Sequence, residues 1–372
     1  MVLLLVLLPL GCTPYQQHLL LLCTAGCRPG STSTGCIQWL FMGSGDGDDN
    51  LGVEGNCCDF QDKYTGIDRE MQWSGNVGLE AGLPLSKETE LLNSGVLIRR
   101  GEFCKLQGDR LDEVNEAAQR LGMTCSQAQS IRHQYMVQSF GYTSSERLDR
   151  QLDRIHLSFE KRVPILKLSY QLDQPPVNIF RALVKDRLRQ RYSLPRSSKV
   201  PSHKVRSVIQ GQPSDLLDVW EKTQLAIAKQ NDVVTYETPE IQARALEWES
   251  VVQDYLEQEG INFLSEDEIR LAGCNKTPDF LLLDNVFIDQ TPVRWIEVKT
   301  LFPSGLRKCG KMHRKKLKRQ VRKYETTFDE PGAVVFLHGY SESVPPLIPN
   351  TLCLGAGALV DNNISDIQQQ SC

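Results

Sequence analysis

Two short apolar runs stand out in the second half of the chain, and both are typical of buried strands. The runs are DFLLL at 279–283 and VRWIEVKT at 293–300. Both are shorter than an ordinary helix and lie among turn-forming residues, which favours strands. The residues between them, 284–292, predict a turn or short hairpin, and GAVVFLHGY at 332–340 predicts a final core strand.

The second run carries charges on one side of the predicted strand. Successive side chains of a strand point to opposite faces. Trp295, Glu297 and Lys299 therefore share one face, and Ile296 and Val298 share the other. A buried charge without a partner is costly, so these groups must satisfy one another or be completed by a ligand.

A helix with a candidate acid precedes the strands. Residues 239–263 carry apolar positions at helical spacing, and Gly260 closes the predicted helix. At about 100° per residue, Glu249 lies beside the apolar stripe, whereas Glu247 points away from it. Glu249 is therefore the acid that can face the core.

The region 105–195 predicts two helix–turn–helix units. One lies in 111–138 and the other in 163–192, where the prolines of DQPP interrupt the first helix and begin the second. The second helix of the latter unit is expected to present basic side chains outward. They are Arg181, Lys185, Arg187, Arg189 and Arg191. A DNA-binding helix-turn-helix and a helical bundle with a solvated basic face explain this pattern equally well.

Charge is strongly segregated along the chain. The 372 residues carry a net charge of −4 and are 40% apolar, enough for two or three domains with a sizeable core. However, 307–323 holds ten Lys and Arg and no acid. Leu317, Val321, Tyr324 and Phe328 give this segment an apolar helical face, so its cations are expected to contact nucleic acid, direct nuclear import or form a solvated face.

The first hundred residues predict no well-packed domain. The opening MVLLLVLLPLGC lacks a preceding positive charge and is too short to cross a membrane. Six cysteines lie between Cys12 and Cys58, without a second metal-binding pair at zinc-finger spacing. We expect 1–100 to be disordered, a targeting segment or a mispredicted extension, and we do not expect secretion or a membrane span.

The charged strand residues suggest metal-assisted chemistry. Carboxylates on adjacent strands, Asp279 and Glu297, can hold a magnesium-type cation and leave positions for water and phosphate. Lys299 on the same face can neutralise developing charge, or orient or deprotonate the attacking water. Phosphodiester hydrolysis needs these parts. The competing interpretation is a structural salt bridge between Glu297 and Lys299.

These residues also carry a resemblance. Pro278-Asp279, seventeen residues, then Glu297-Val298-Lys299 resemble the motif of the PD-(D/E)XK nuclease superfamily. The surrounding FLSEDEIRLAGCNKTPDFLL, VRWIEVKT and LEWESVV resemble the Codanin-interacting nuclease family and its relatives with a Thr-Pro-Asp motif. The resemblance covers about 105–345, is close over 245–300 and is absent over 1–100.

The resemblance implies a fold and a site. The fold class is α/β, with a restriction-endonuclease-like mixed sheet flanked by helices and preceded by an all-α helix-turn-helix region. Asp279, Glu297 and Glu249 would bind Mg²⁺ or Mn²⁺, and Lys299 would act on the attacking water. Gln320 and Tyr324 resemble the Gln-x-x-x-Tyr element of some enzymes of the superfamily.

The predicted function is divalent-metal-dependent cleavage of nucleic acid, with DNA expected and RNA as an alternative. Residues assigned to nucleic-acid binding are Gln320, Tyr324, Lys315, Lys316, Arg319 and Lys276. The family further implies nuclear localisation, with the cytoplasm as an alternative, a Codanin-type partner, and a homodimer as an option. The alternative function is a catalytically weak nucleic-acid-binding or scaffold protein on the same fold.

The predicted divisions of the chain follow from these segments. They are 1–100 without a packed domain, 105–195 helical, 196–236 linker and helix, 237–345 nuclease domain, and 346–372 tail.

Overall fold

The computed structural model of the chain describes residues 60–73, 82–141, 144–195, 198–235, 239–345, 348 and 350–356. The predictions for the apolar opening and for the six cysteines up to Cys58 lie outside these residues.

A mixed sheet of six strands forms the centre of the fold. Its strands are β1 (Asp68–Met71), β2 (Phe263–Ser265), β3 (Phe280–Ile288), β4 (Thr291–Lys299), β5 (Gly332–Phe336) and β6 (Thr351–Gly355). The order is β1-β3-β4-β5-β6, and β2 pairs with the first half of β3. The β3–β4 and β2–β3 pairs are antiparallel, whereas β1–β3, β4–β5 and β5–β6 are parallel.

Twelve described α-helices accompany the sheet. They are α1 (Leu85–Asn93), α2 (Asp109–Arg120), α3 (Cys125–Met136), α4 (Ser144–Asp149), α5 (Leu152–Glu160), α6 (Ile165–Leu172), α7 (Pro176–Arg191), α8 (Ser202–Gln210), α9 (Val219–Gln230), α10 (Pro239–Gln258), α11 (Glu266–Leu271) and α12 (Arg307–Phe328). None of the helices in the described ranges is long and apolar enough to cross a membrane. The predicted mixed sheet flanked by helices is confirmed.

The sheet buries a different set of side chains on each face, as the alternation in β4 predicts. Ile296 and Val298 belong to the core beneath α10, where they join Trp248. Trp295 belongs to the core beneath α12, together with Val321. The face of β4 that carries Glu297 and Lys299 is therefore turned toward α12.

The hairpin between β3 and β4 is tighter than predicted. Its strands extend to Ile288 and from Thr291, so the turn contains only Asp289 and Gln290. Both turn residues have positive φ, 49° and 65°, as a two-residue hairpin turn of this hand requires. The segment 284–292 is thus mostly strand, because exposed Asn285 and half-buried Phe287 alternate with buried Val286 and Ile288.

The helices α4–α9 share one core, and the basic side chains of α7 do not point freely outward. Helix α7 packs on α4, α5, α6, α8 and α9, and Phe180, Leu183 and Val184 are fully buried. Arg187 pairs with Glu221, and Arg189 is itself buried, within 3.8 Å of Asp149. The prediction of an outward basic face is therefore wrong for Arg187 and Arg189, whereas Arg191 is exposed.

Parts of the predicted unpacked, linker and tail segments belong to the fold. In the described part of 1–100, Met71, Trp73, Leu91 and Leu97 are all buried. Helices α8 and α9, predicted as linker and helix, contribute to the core of α4–α9. Strand β6 lies in the predicted tail and pairs with β5, so β5 is not the final strand. These segments are short, and the residues that bury them lie elsewhere in the sequence. Their own sequence pattern therefore does not predict that they are packed.

Candidate active site

The antiparallel pairing of β3 and β4 brings Asp279 and Glu297 together. Phe280 pairs with Ile296, so the next residues outward, Asp279 and Glu297, lie opposite each other at the end of the hairpin away from its turn. The Asp279 carboxylate accepts a hydrogen bond of 2.6 Å from the Val298 amide. This bond fixes the carboxylate across the gap between the strands.

Three donors hold the Glu297 carboxylate, whose residue is only 3% exposed. Gln320 Nε2 donates to Oε1 over 2.7 Å, and the Tyr324 hydroxyl donates to Oε2 over 2.9 Å. Lys299 Nζ forms an ion pair with Oε1. Gln320 and Tyr324 lie one turn apart on α12, which explains why both reach the same carboxylate.

The site contains more negative than positive charge. Burial, and then the charge of Glu297, raise the pKa of Asp279 well above its ordinary value. Burial also raises the pKa of Glu249, with contributions from Glu266 and Glu297. Burial lowers the pKa of the Lys299 ammonium, but the charges of Glu297 and Asp279 outweigh it, so the net shift is upward and Lys299 stays protonated.

The donor set fits a magnesium-type ion held by two carboxylates. Among the described residues, no three His, Cys, Asp or Glu side chains are arranged to hold a metal ion together. Mg²⁺ keeps several waters and is commonly bound by one or two carboxylates plus phosphate oxygens. Asp279 and Glu297 meet that requirement. Glu249 is close enough to Asp279 and Glu297 to interact with them electrostatically. The three acids do not, however, form a cluster arranged to hold a metal ion.

The predicted nucleic-acid-binding residues fall into three groups. Lys276, Lys315 and Arg319 line one groove of about 540 Å³. Lys316 is exposed but is not among the groove's lining residues. Gln320 and Tyr324 face Glu297 rather than solvent, and burial raises the pKa of the Tyr324 phenol, which keeps it a hydrogen-bond donor.

Thr277 is a site residue to which the sequence assigned no role of its own. Its hydroxyl donates to Glu266 Oε1 over 2.9 Å. Its carbonyl lies 3.0 Å from the Tyr324 hydroxyl, whose single proton it shares with Glu297 Oε2. Glu266 is the first residue of α11. The only sequence signal for Thr277 was its place directly before Pro278 and Asp279.

The fold and the site together define an α/β protein with a carboxylate–lysine cluster at the open end of a sheet hairpin. Residues 221–353 match the family described as "Protein of unknown function TPD sequence-motif", and Thr277-Pro278-Asp279 spell that motif. No solved structure matches the chain.

The similar proteins include CDAN1-interacting nuclease 1 of Danio rerio, 27% identical over 178 residues, and that of Homo sapiens, 26% identical over 182 residues. The matches cover 47% and 48% of this chain and 56% and 61% of those relatives. An uncharacterized protein, L539, of Acanthamoeba polyphaga mimivirus is 26% identical over 45% of this chain and 60% of its own length.

Residues 221–353 thus match the TPD-motif family, and about half of the chain is similar to the CDAN1-interacting nucleases. The matched part spans little more than half the length of these relatives. Their name supports a nuclease-like function at the level of the family.

Proposed function

We propose that this chain is a PD-(D/E)XK-type nuclease that hydrolyses phosphodiester bonds, with DNA as its expected substrate. The observation that carries the proposal is the pair of facing carboxylates, Asp279 and Glu297, with Lys299 on the same face of β4. A structural salt bridge between Glu297 and Lys299 alone would leave the buried Asp279 without an ion-pair partner among the described residues.

Each residue has a distinct role in this proposal. Asp279 and Glu297 would hold Mg²⁺ or Mn²⁺, which supplies charge stabilisation at the phosphoryl oxygens and a more acidic bound water. Protonated Lys299 stabilises negative charge that develops on the phosphate. Gln320 and Tyr324 orient Glu297, and Glu249 adds negative charge beside the pair.

One observation favours the alternative of a catalytically weak binding protein. Glu297 is already engaged by Lys299, Gln320 and Tyr324, so a cation must compete with Lys299 for Oε1. A weak enzyme would show little cleavage even at millimolar Mg²⁺ while still binding nucleic acid.

Metal-dependent cleavage by the full chain tests the proposal. Labelled single-stranded, duplex and branched DNA, and RNA, are incubated with wild type, Asp279→Asn and Glu297→Gln in Mg²⁺, Mn²⁺ or EDTA. We expect cleavage only with metal, and a loss of about a hundredfold or more in either variant, because several kcal/mol of stabilisation disappear. Asp254→Asn, an exposed acid on α10, is the matched control and should retain activity.

Two outcomes contradict the proposal. Cleavage that persists equally in wild type, Asp279→Asn and EDTA would belong to a contaminant. Binding without cleavage by the wild type in both metals would favour the alternative function.

We extend the proposal to partners by similarity alone. The relatives are named for their interaction with CDAN1, and a Codanin-type protein is accordingly the partner we propose here, with the nucleus as the compartment. Co-purification with such a protein tests the first proposal, and localisation of a tagged chain tests the second.

A further inference from the structure

One face of α12 forms most of the lining of a basic groove. The groove of about 540 Å³ is lined by Lys276, Lys315, Lys318, Arg319, Arg322 and Lys323, with Thr326 and Thr327. No carboxylate is among these lining residues. Lys276 comes three positions before Asp279, so one wall of the groove belongs to the loop that carries the candidate site.

The cations of this groove differ from most of the basic side chains of α7. On α7, Lys185, Arg187, Arg189 and Arg191 lie within ion-pairing distance of carboxylates of the chain. Within the described residues, Lys276, Lys315, Lys318, Arg319 and Arg322 have no carboxylate at that distance. Unpaired cations that repel one another in one groove lower the folded stability and are suited to an anionic ligand.

The length of the stripe favours a polymer over a single phosphate. The helical groove residues run from Lys315 to Thr327 at positions i, i+3, i+4, i+7, i+8, i+11 and i+12, which is one helical face. At 1.5 Å per residue, this face is roughly 18 Å long. Phosphates of one DNA strand recur about every 3.4 Å of helix axis, so several would fit along it.

We infer that this groove binds the phosphodiester backbone of a nucleic-acid strand and that Lys318 and Arg322, which the sequence did not assign individually to nucleic-acid binding, are phosphate contacts. The identification of the polymer as nucleic acid rests on the proposed function. The inference adds two points. The contacts to the nucleic acid lie on α12 and not on α7, and the nucleic-acid strand runs from the candidate site along α12.

Binding measured without catalysis tests the inference. Fluorescence anisotropy of labelled 24-nucleotide single-stranded and duplex DNA is recorded in EDTA over 50–200 mM salt, with the full chain. The variant is Lys318→Gln with Arg322→Gln. The matched control is Lys308→Gln with Lys311→Gln, which removes the same charge from exposed positions of α12 outside the groove.

We expect the salt dependence of duplex binding to fall by about 1.8 in slope for the groove pair, because two phosphate contacts each contribute about 0.9. Between 50 and 200 mM salt, the wild type should then lose about tenfold more affinity than this variant. The control pair should change the slope less. Equal changes in the two pairs would overturn the inference in favour of general charge attraction.

Competition separates the possible occupants. An unlabelled oligonucleotide should displace the probe, whereas AMP at the same phosphate concentration should not. Displacement by AMP would overturn the polymer argument, and displacement by poly-glutamate as effective as by DNA would identify an acidic protein segment instead.

Melting temperatures of both double variants should match the wild type, which excludes loss of fold as the cause.

The outcome is independent of the cleavage experiment. Groove-dependent binding with no cleavage in Mg²⁺ or Mn²⁺ would remove the proposed nuclease activity and keep the groove. Cleavage that requires Asp279, with binding indifferent to Lys318 and Arg322, would keep the nuclease and remove the groove.

Discussion

Thr277 connects two helices to the peptide that precedes Asp279. Its side chain bonds to Glu266 on α11, and its backbone carbonyl bonds to Tyr324 on α12. Tyr324 in turn contacts Glu297. A threonine at this position therefore couples the placement of both candidate metal ligands, which gives the first residue of the motif a physical role.

Replacing Thr277 with valine should slow cleavage and lower the stability modestly. Valine keeps the branched shape but removes the donor to half-exposed Glu266, so we expect a loss of about 1 kcal/mol in the free energy of unfolding. Cleavage should fall about tenfold as Asp279 loses its fixed position. Rates at several Mg²⁺ concentrations and urea unfolding measure the two effects.

Glu266→Gln is the companion variant, because its amide oxygen still accepts from Thr277. It should keep most of the activity. Full activity in Thr277→Val would show that the hydroxyl does not position the site.

The sequence predicted which candidate side chains share a face better than it predicted their contacts. Alternation placed Glu297 and Lys299 on one face of β4, since strand periodicity is local. Spacing on α12 showed that Gln320 and Tyr324 share a face, but not that this face opposes Glu297. What a helical face meets depends on where the helix packs, which local periodicity does not encode.

The helix α7 shows the same limit at the scale of an element. Its boundaries follow from the DQPP prolines, and Pro176 opens the helix in the structure. Its basic residues alternate with apolar ones, which suggests a solvated face. In the bundle these residues meet carboxylates supplied by α4, α9 and the 211–218 segment instead.

Arg187→Met should therefore destabilise the protein without weakening nucleic-acid binding. The substitution leaves Glu221, which is 5% exposed, without its charge partner. Breaking a buried pair in this way costs about 3–5 kcal/mol. Urea unfolding should show the loss, while the affinity of the folded protein for DNA stays unchanged. An unchanged urea midpoint with weaker DNA binding would restore α7 as a binding helix.

The packing of α3 against α12 brings two histidines together. Burial, with His313 and Arg132 adding to it, lowers the pKa of His133 to about 4. Burial and Lys316 lower the pKa of His313 as well. His313 Nε2 has no hydrogen-bond partner among the described residues. Both rings are therefore neutral in the folded protein at neutral pH.

Acid should weaken this contact. In the unfolded chain, His133 takes up a proton near pH 6.5, whereas in the folded protein it does so only near pH 4. The contribution of His133 to stability is complete above pH 6.5 and decreases by up to about 1.4 kcal/mol per pH unit between those values. Urea unfolding at pH 7, 6, 5 and 4 measures it. His133→Gln keeps a donor for the Val233 carbonyl and should flatten the profile. Parallel profiles would show that another group titrates.

At the scale of the whole molecule, residues far apart in the chain meet around the sheet. Trp73 Nε1 donates to the Gly355 carbonyl over 2.7 Å, and its ring contacts Tyr255 of α10 edge-on at 5.3 Å. Neither β1 nor β6 shows a strong strand pattern by itself. The sheet supplies their hydrogen-bond partners and neighbouring apolar surface, so the sequence around them did not predict them.

Trp73→Ala should cost about 3–5 kcal/mol, as expected for a large buried aromatic. The loss should appear in urea unfolding as a lower midpoint. Exposed Glu70→Ala on the same segment is the control and should change the midpoint little. An unchanged midpoint in Trp73→Ala would mean that the segment before α1 is dispensable for folding.

The two strands added at the sheet's edges bear on how the protein can be produced. A fragment covering 205–345 would contain every proposed catalytic residue, but it would lack both β1 and β6. The second half of β3 and the whole of β5, where every residue is buried, would then present open backbone edges. Such edges recruit strands from other molecules, so this fragment should self-associate in solution, whereas one spanning 60–356 keeps both edges covered.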